Sequence, residues 1–182
     1  YNAALNIAFH LEKNHPQQLL QTKYRLEQMA HLLNQEQQQH PNEPDLYYRF
    51  AEVLEKLEYF NSGLLYYQKT LELQPNRADV YYHVGNILRK QFQFESALQC
   101  YQESLRLDPQ FIETYDGLGD LYQETLEFDK AIETYQQILP TQPQNIQLHQ
   151  KLAQAFAHQK QWELALKHIL EAIHFKKIPV FP

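Results

Sequence analysis

The chain contains little of several residues on which other classes of protein depend. It has one cysteine, Cys100, and four glycines in 182 residues. A single cysteine cannot form an internal disulfide, so a disulfide-stabilised domain is excluded and a reducing, cytoplasmic setting is favoured. Because glycine weakens helices, its scarcity, together with abundant glutamine, leucine, glutamate and alanine, predicts an all-α fold with little or no β-sheet.

Long apolar runs and positive charge are scarce as well. No stretch approaches the roughly 18 to 20 continuous apolar residues of a membrane span, so no membrane contact is expected. Lysine and arginine number 16 against 22 acidic residues, which gives a formal net charge of -6. Binding to nucleic acid relies on many cations that neutralise phosphates, so no nucleic acid partner is expected. Since the chain begins at Tyr1 rather than at a methionine, we interpret it as part of a longer protein.

A repeat with a period of 34 residues is present, and prolines mark it at Pro41, Pro75, Pro109 and Pro143. In the same register, a small residue is followed four positions later by a large one. The pairs are Gly63 with Tyr67, Ala97 with Tyr101, Ala131 with Tyr135 and Ala165 with Ile169. Four residues make about one helical turn. Both members of a pair therefore share a helix face, and the small one permits close contact between helices.

A second apolar stripe precedes the first in every unit. It begins at Tyr47, Tyr81, Tyr115 and His149 and closes at Leu54, Leu88, Tyr122 and Phe156. Two amphipathic stripes in each unit predict a helical hairpin. The first helix is expected to end near Glu58, Phe92, Leu126 or Lys160, and the second is anchored by Phe60, Phe94, Phe128 or Trp162. The prolines are expected to end each second helix, because proline cannot continue its hydrogen-bond ladder.

These residues resemble the tetratricopeptide repeat family, whose units are also 34 residues long. The series Tyr115, Leu118, Gly119, Tyr122, Ala131, Tyr135 and Pro143 follows the family pattern with only tyrosine in place of tryptophan and of phenylalanine. The resemblance implies a right-handed all-α solenoid of helical hairpins. Its units are residues 44–77, 78–111, 112–145 and 146–179, followed by 180–182 as a tail or the start of a further segment.

Residues 1–43 are less regular than the repeats. Apolar-periodic runs over residues 3–11 and 19–33 predict a helical pair or a degenerate repeat that caps the N-terminal end. The repeats also depart from the family at one place. The usual glycine between the two helices is replaced by Glu58, Phe92, Leu126 and Lys160. A left-handed residue there would be strained, or the turn differs from that of the family.

The family's first helices line the concave surface, so the resemblance implies that residues opposite the buried stripe bind a peptide. Tyr48 and Tyr82 are singled out because the repeat core does not explain them. The other candidates are Arg49, Glu52, His83, Asn86, Arg89, Asp116, Asp120, Gln123, Gln150 and Gln154, with Glu124 and Lys151 beside them. The alternative for each is an ordinary solvated helix face.

Nothing in the sequence predicts catalysis. No two histidines lie four residues apart on a helix, which would aim them at one metal ion, and the histidines are interpreted as solvated or at the groove edge. Gly117 and Gly119 are not interpreted as a phosphate-binding loop, because no strand precedes them and no third glycine follows, and the periodic Gly119 is explained by packing. Cys100 has no recognisable histidine partner to activate it. We therefore expect no enzymatic activity, no cofactor and no metal.

The expected function is that of a scaffold or adaptor that binds a protein or peptide in the concave groove. Because residues 112–145 are strongly acidic, a partner with a basic segment is expected at Asp116 and Asp120. An alternative is the non-catalytic recruitment domain of a larger enzyme, such as a glycosyltransferase or a methyltransferase. A third is self-association through the C-terminal end. There an uncapped apolar face requires cover by a second copy, a downstream domain or the tail residues, and its side chains are Leu166, Ile169, Leu170 and Ile173.

Overall fold

The structure is a computed structural model that describes residues 24–25, 27–29, 31–33, 35–36, 40 and 42–177. From Pro44 onwards these residues form eight α-helices and no strand, which confirms the predicted all-α class. The helices are α1 (Pro44–Lys56), α2 (Phe60–Leu73), α3 (Ala78–Lys90), α4 (Phe94–Leu107), α5 (Ile112–Glu124), α6 (Phe128–Ile138), α7 (Ile146–His158) and α8 (Trp162–Lys177). The second helix of each hairpin begins at the predicted aromatic residue.

Consecutive helices pack in pairs, and the chain divides into two compact units. The first unit, residues 1–76, contains the hairpin α1–α2, whose core includes Phe50, Val53 and Leu54, with Leu33 from the helical residues ahead of it. The predicted run over residues 3–11 lies outside the described residues. The second unit, residues 77–182, contains three hairpins in which α4 packs against α5 and α6 against α7. Within the described part of the chain, no helix is both long enough and apolar enough to cross a membrane.

The small residues of the repeat lie at close contacts, as predicted. Gly63, Ala97, Ala131 and Ala165 are all buried. The tyrosines that follow the first three are fully buried too. In the second unit, the rings of Tyr101 and Tyr135 lie against Gly85 and Gly119 of the paired helix, with no room for a Cβ atom at either glycine. In these two hairpins, a tyrosine ring of the second helix therefore packs directly against the backbone of the first helix at a glycine.

The turns within the hairpins keep the left-handed conformation without glycine. Glu58, Phe92, Leu126 and Lys160 have φ angles of 62°, 60°, 64° and 61°. The residue after each one donates its amide back to the carbonyl five positions earlier, as in Glu127 N to Tyr122 O at 2.8 Å. This bond is characteristic of a Schellman motif, in which glycine normally takes the left-handed position. The turn therefore has the left-handed backbone conformation of the family. The four residues at this position carry a Cβ atom, so this conformation is strained.

Replacing Leu126 with glycine is expected to stabilise the protein. The left-handed conformation costs a residue with a Cβ about 1 to 2 kcal/mol, and the extra chain entropy of glycine offsets about 0.5 to 1 kcal/mol of this gain. Leu126 is 71% exposed, so its removal loses little apolar contact. The net gain, about 0.5 to 1 kcal/mol by these two terms, is measurable by urea denaturation. Leu126→Ala is the control, since it removes the side chain but keeps the strain. Equal stability of the two variants would contradict the strain argument.

The end of α6 differs from the prediction. The sequence pattern predicts that Pro143 ends this helix, but α6 already ends at Ile138, two residues before Pro140. Proline removes an amide donor and restricts the residue ahead of it, so the first proline reached acts as the terminator. In α4, by contrast, Pro109 follows the final residue Leu107 as predicted.

Candidate interaction surface

The first helices of the second unit bring several predicted residues into one ion-pair network. Lys151 Nζ of α7 lies 2.7 Å from Asp116 Oδ1 and 2.7 Å from Asp120 Oδ1, both on α5. Arg89 of α3 pairs with Glu124, and its Nη2 is 3.8 Å from Asp120 Oδ2. We call these five residues the Asp120 network. Asp120 is its centre, because it contacts a cation from the helix on either side.

Buried tyrosines contact three of the predicted residues. The Tyr135 hydroxyl donates to Asp120 Oδ1 at 2.7 Å, and Gln123 Oε1 lies 3.0 Å from it as an alternative acceptor. The Tyr101 hydroxyl donates to Asn86 Oδ1 at 2.7 Å. Asn86 and Asp120 each precede their tyrosine by 15 residues, so they occupy the same place in successive hairpins. Both therefore accept a hydrogen bond from a core hydroxyl, a role that the sequence pattern did not predict.

The core tyrosines remain donors because ionisation is strongly disfavoured. Burial raises the pKa of Tyr101 and Tyr135 well above the ordinary value, and the Asp120 carboxylate raises that of Tyr135 further. The pKa of Tyr67 in the first unit is raised too, first by burial and then by the charge of Glu55. Glu55 accepts a hydrogen bond from the Tyr67 hydroxyl at 2.9 Å. Because a neutral phenol donates one hydrogen bond, each hydroxyl keeps a carboxylate or amide oxygen fixed on the first helix.

The three predicted residues of the first unit lie on α1. Tyr48 is half-buried, with its ring centroid 6.0 Å from that of Tyr67. Arg49 is exposed and Glu52 is half-buried. The charge of Glu52 is among the lesser causes that raise the pKa of Tyr67. Within the first unit, Tyr48 and Glu52 therefore lie near the core tyrosine.

The interpretation of Tyr82 as a residue outside the repeat core was wrong. Tyr82 packs against the core of the second unit, with its ring 6.5 Å from Tyr101 and edge-on to Phe111 at 5.6 Å. His83 lies beside it, half-buried, with the ring centroids 5.1 Å apart. The residue after a buried aromatic lies about 100° further round the helix. At Tyr82, as at Tyr48, this rotation leads to the tyrosine of the paired helix.

Gln150 and Gln154 are both exposed on α7. Gln123, the third predicted glutamine, is half-buried and is an alternative acceptor for Tyr135. The two exposed glutamines stand on either side of Lys151 in sequence. Their amide groups can both donate and accept hydrogen bonds, so they suit a peptide backbone.

The interpretation of the histidines as solvated was wrong for two of them. His149 and His168 are only 5% and 8% exposed. Their Nδ1 atoms lie 2.9 Å apart, and His149 Nε2 lies 2.9 Å from Pro143 O. His149 takes the place of Tyr47, Tyr81 and Tyr115 in the repeat, of which Tyr47 is buried and the other two are half-buried. This repeat position was the signal available in the sequence. Among the described residues, no three or more histidine, cysteine or acidic side chains are grouped to hold a metal ion.

Cys100 is half-buried on α4. Burial raises the pKa of its thiol, which lowers the fraction of thiolate at neutral pH. Because the thiolate is the reactive form, the structure gives this cysteine no feature of a nucleophile.

Models of the tetratricopeptide repeat match residues 44–77, 78–111 and 117–177, together more than half of the chain. The chain belongs to the tetratricopeptide repeat family. The third match spans the last two hairpins, where His149 and Ile169 depart most from the pattern. The comparison with curated proteins found no match.

Solved tetratricopeptide structures share this fold. MamA from Desulfovibrio magneticus RS-1 is 20% identical, with a TM-score of 0.77, and the alignment covers 99% of this chain and 97% of that one. YrrB, described as a TPR protein with an unusual peptide-binding site, is 18% identical, with a TM-score of 0.68 and coverage of 96% and 92%. PilF of Pseudomonas aeruginosa is 18% identical, with a TM-score of 0.75 and coverage of 96% and 75%. These similarities confirm the fold class, an α-solenoid of tetratricopeptide hairpins.

Proposed function

We propose that this protein is a cytoplasmic scaffold or adaptor that binds an extended peptide or a partner's helix on the first helices of its repeats. Its tetratricopeptide repeats support a role in protein interaction, and YrrB is a relative in fold whose description names a peptide-binding site. The observation that carries the proposal is the Asp120 network. It joins α3, α5 and α7 on one surface, with exposed Gln150 and Gln154 beside it.

The charge of this surface favours a ligand with a basic segment. The Asp120 network holds three carboxylates and two cations, so it retains one negative charge at neutral pH. The side chains of Asp116 and Glu124 are 48% and 43% exposed, whereas Asp120 is 24% exposed. A lysine or arginine of the ligand would therefore contact Asp116 and Glu124 and compete with Lys151. Interactions of this kind weaken as salt screens the charges.

Asp116→Asn is expected to weaken binding of a basic peptide by up to about fivefold, the range of an exposed ion pair. Fluorescence anisotropy with three extended peptides of equal length, one basic, one neutral and one acidic, measures this at low and high salt. Glu133→Gln is the matched control, because it removes the same charge from an exposed site on a second helix, α6. If both variants weaken binding equally, the effect is one of net charge, and this surface is not the site.

A second proposal is that the C-terminal end contacts a second copy or a downstream domain. Leu166, Ile169, Leu170 and Ile173 of α8 are all exposed among the described residues. The tail residues Ile178, Val180 and Phe181, expected to cover this face as an alternative, lie outside them. A downstream domain would be consistent with a recruitment role in a larger enzyme. Light scattering across a concentration series, with Leu166→Gln and Leu170→Gln as the variant, tests self-association.

A further inference from the structure

The last hairpin contains a buried histidine pair in place of the packing found in the other repeats. In the preceding repeat, the Tyr115 hydroxyl donates to Pro109 O at 3.0 Å. One period later, His149 Nε2 makes the same contact with Pro143 O at 2.9 Å. Unlike a tyrosine, His149 carries a second nitrogen, and its Nδ1 lies 2.9 Å from Nδ1 of His168 on α8. The repeat contact is thus retained, and a titratable contact between α7 and α8 is added.

The hydrogen-bond partners determine the protonation of both rings. A carbonyl oxygen only accepts, so His149 must carry its proton on Nε2 to bond with Pro143 O. Its Nδ1 is then an acceptor in the neutral ring, and His168 must donate from Nδ1. A first added proton can be placed on His168 Nε2 without breaking the bond between the rings. A second proton has to go onto His149 Nδ1, where two N–H groups would face each other.

The surroundings of the pair disfavour the first proton as well. His168 stacks on the Phe156 ring of α7, with centroids 5.5 Å apart, and His149 lies against Phe175 of α8 at 5.6 Å. Burial lowers the pKa of His168, and His149 from α7 and Lys167 on α8 lower it further, while Glu171 on α8 acts in the opposite direction. Exposed His174 contacts Phe175 from the outer side, and Lys151 of α7 is engaged by Asp116 and Asp120.

We propose that His149 and His168 form an acid-sensitive latch that holds α8 against α7 while both rings are neutral and releases it when both are protonated. Release separates Phe156 and Phe175 from the two imidazoles and frees the helix that carries the outer apolar residues Leu166 and Leu170. The latch is a property of the hairpin itself and does not depend on the proposed peptide ligand.

The direction of the pH effect follows from proton counting. An exposed imidazole takes a proton at about pH 6.5, whereas the closed pair has no place for a second proton, on His149 Nδ1. The open form therefore binds more protons below that pH, and acid favours opening. Below that pH, the opening equilibrium constant rises about tenfold for each pH unit and each excluded proton. Only the lower half of the range from pH 7.5 to pH 5.5 lies below it. We expect a rise of about tenfold or more for α8 between pH 7.5 and pH 5.5 by this relation.

Hydrogen exchange of the full chain at these two pH values, corrected for intrinsic exchange rates, measures the opening of α8, with α4 of the same molecule as the internal reference. His149→Tyr is the matched variant, because tyrosine retains the Pro143 contact as Tyr115 does with Pro109 and does not titrate in this range. His168→Thr, the residue found one period earlier at Thr134, is the second variant and serves if the first fails to fold. Both are expected to lose the acid response of α8.

Two outcomes overturn the latch. One is opening of α8 that rises no more than that of α4 between pH 7.5 and pH 5.5. The other is an acid response that persists in whichever variant folds, which would assign it to other histidines. Nitrogen NMR of the imidazoles adds a direct check at pH 7.5: a proton on His149 Nδ1, or none on His168 Nδ1, contradicts the arrangement.

Discussion

Replacing Gly119 with alanine is expected to lower the free energy of unfolding by about 1 to 3 kcal/mol, the usual cost of overpacking a core. Alanine is otherwise the better helix former by about 1 kcal/mol, so the sign depends on packing. A Cβ at Gly119 would lie 2.6 Å from Cδ1 and 2.9 Å from Cζ of Tyr135, and closer still to Cε1. The ring resists displacement, because it is fully buried and its hydroxyl donates to Asp120. Urea denaturation measures the difference.

The chain itself supplies the compensating change for this test. The last hairpin has Ala153 in the place of Gly119 and Ile169 in the place of Tyr135. In a Tyr135→Ile background, Gly119→Ala should therefore cost much less, and the double-mutant cycle should give a coupling energy of about 1 kcal/mol or more. An unchanged cost in that background would mean that the ring is not the obstacle.

The first hairpin shows how a tyrosine sits opposite alanine. Ala51 is buried in the place of Gly119, and the Tyr67 hydroxyl donates to Glu55, 12 residues before it. The glycine hairpins use an acceptor 15 residues before the tyrosine. Where alanine replaces glycine, as at Ala51, the tyrosine hydroxyl thus has a different acceptor, which lies about one helical turn further along the first helix. Gln123 offers Tyr135 a similar second acceptor, so the expected cost of Gly119→Ala lies in packing rather than in a lost hydrogen bond.

The helices could be predicted because the repeat states each requirement several times. Gly63, Ala97 and Ala131 occupy the same repeat position and indicate the same close contact. The register of the repeat is therefore clear even where one unit departs from the pattern. The end of α6 could not be predicted from the period, because Pro140 acts locally and lies outside the repeat pattern. The left-handed turns show a third case. The period predicts where they lie, but their side chains give no sign that the backbone conformation persists without glycine.

The sequence pattern selected candidate residues but did not predict their hydrogen-bond partners. Helical periodicity predicts that Asp120 and Asn86 lie opposite the apolar stripe, and in the structure each accepts a hydrogen bond from a core tyrosine hydroxyl. Whether such a residue faces a ligand or a core hydroxyl depends on the tilt of a ring on another helix, which periodicity does not determine. His168 gave no signal, because the residues one and two periods earlier are Thr134 and Cys100.

Asp120→Ala is expected to destabilise the protein by about 1.5 to 3 kcal/mol, the cost of hydrogen bonds to a charged group. Asp120 accepts from Tyr135, pairs with Lys151 and lies 3.8 Å from Arg89, and its side chain is 24% exposed. Asp116→Ala should cost less than about 1 kcal/mol, because Asp116 forms an ion pair with Lys151 and is 48% exposed. Asp120→Asn separates the contribution of the Tyr135 hydrogen bond from that of the ion pairs, since it keeps an acceptor for Tyr135 and removes the charge.

Salt distinguishes the roles of these two carboxylates. At about 1 M salt the screening length falls to about 3 Å, so exposed ion pairs lose most of their effect. The small cost of Asp116→Ala should then vanish, whereas most of the cost of Asp120→Ala should remain, because the Tyr135 hydrogen bond is partly buried and only 2.7 Å long. Denaturation at low and high salt gives both costs. Equal costs for the two variants, or the same salt dependence, would show that Asp120 is an ordinary surface charge. Asp120 would then be as available to a ligand as Asp116.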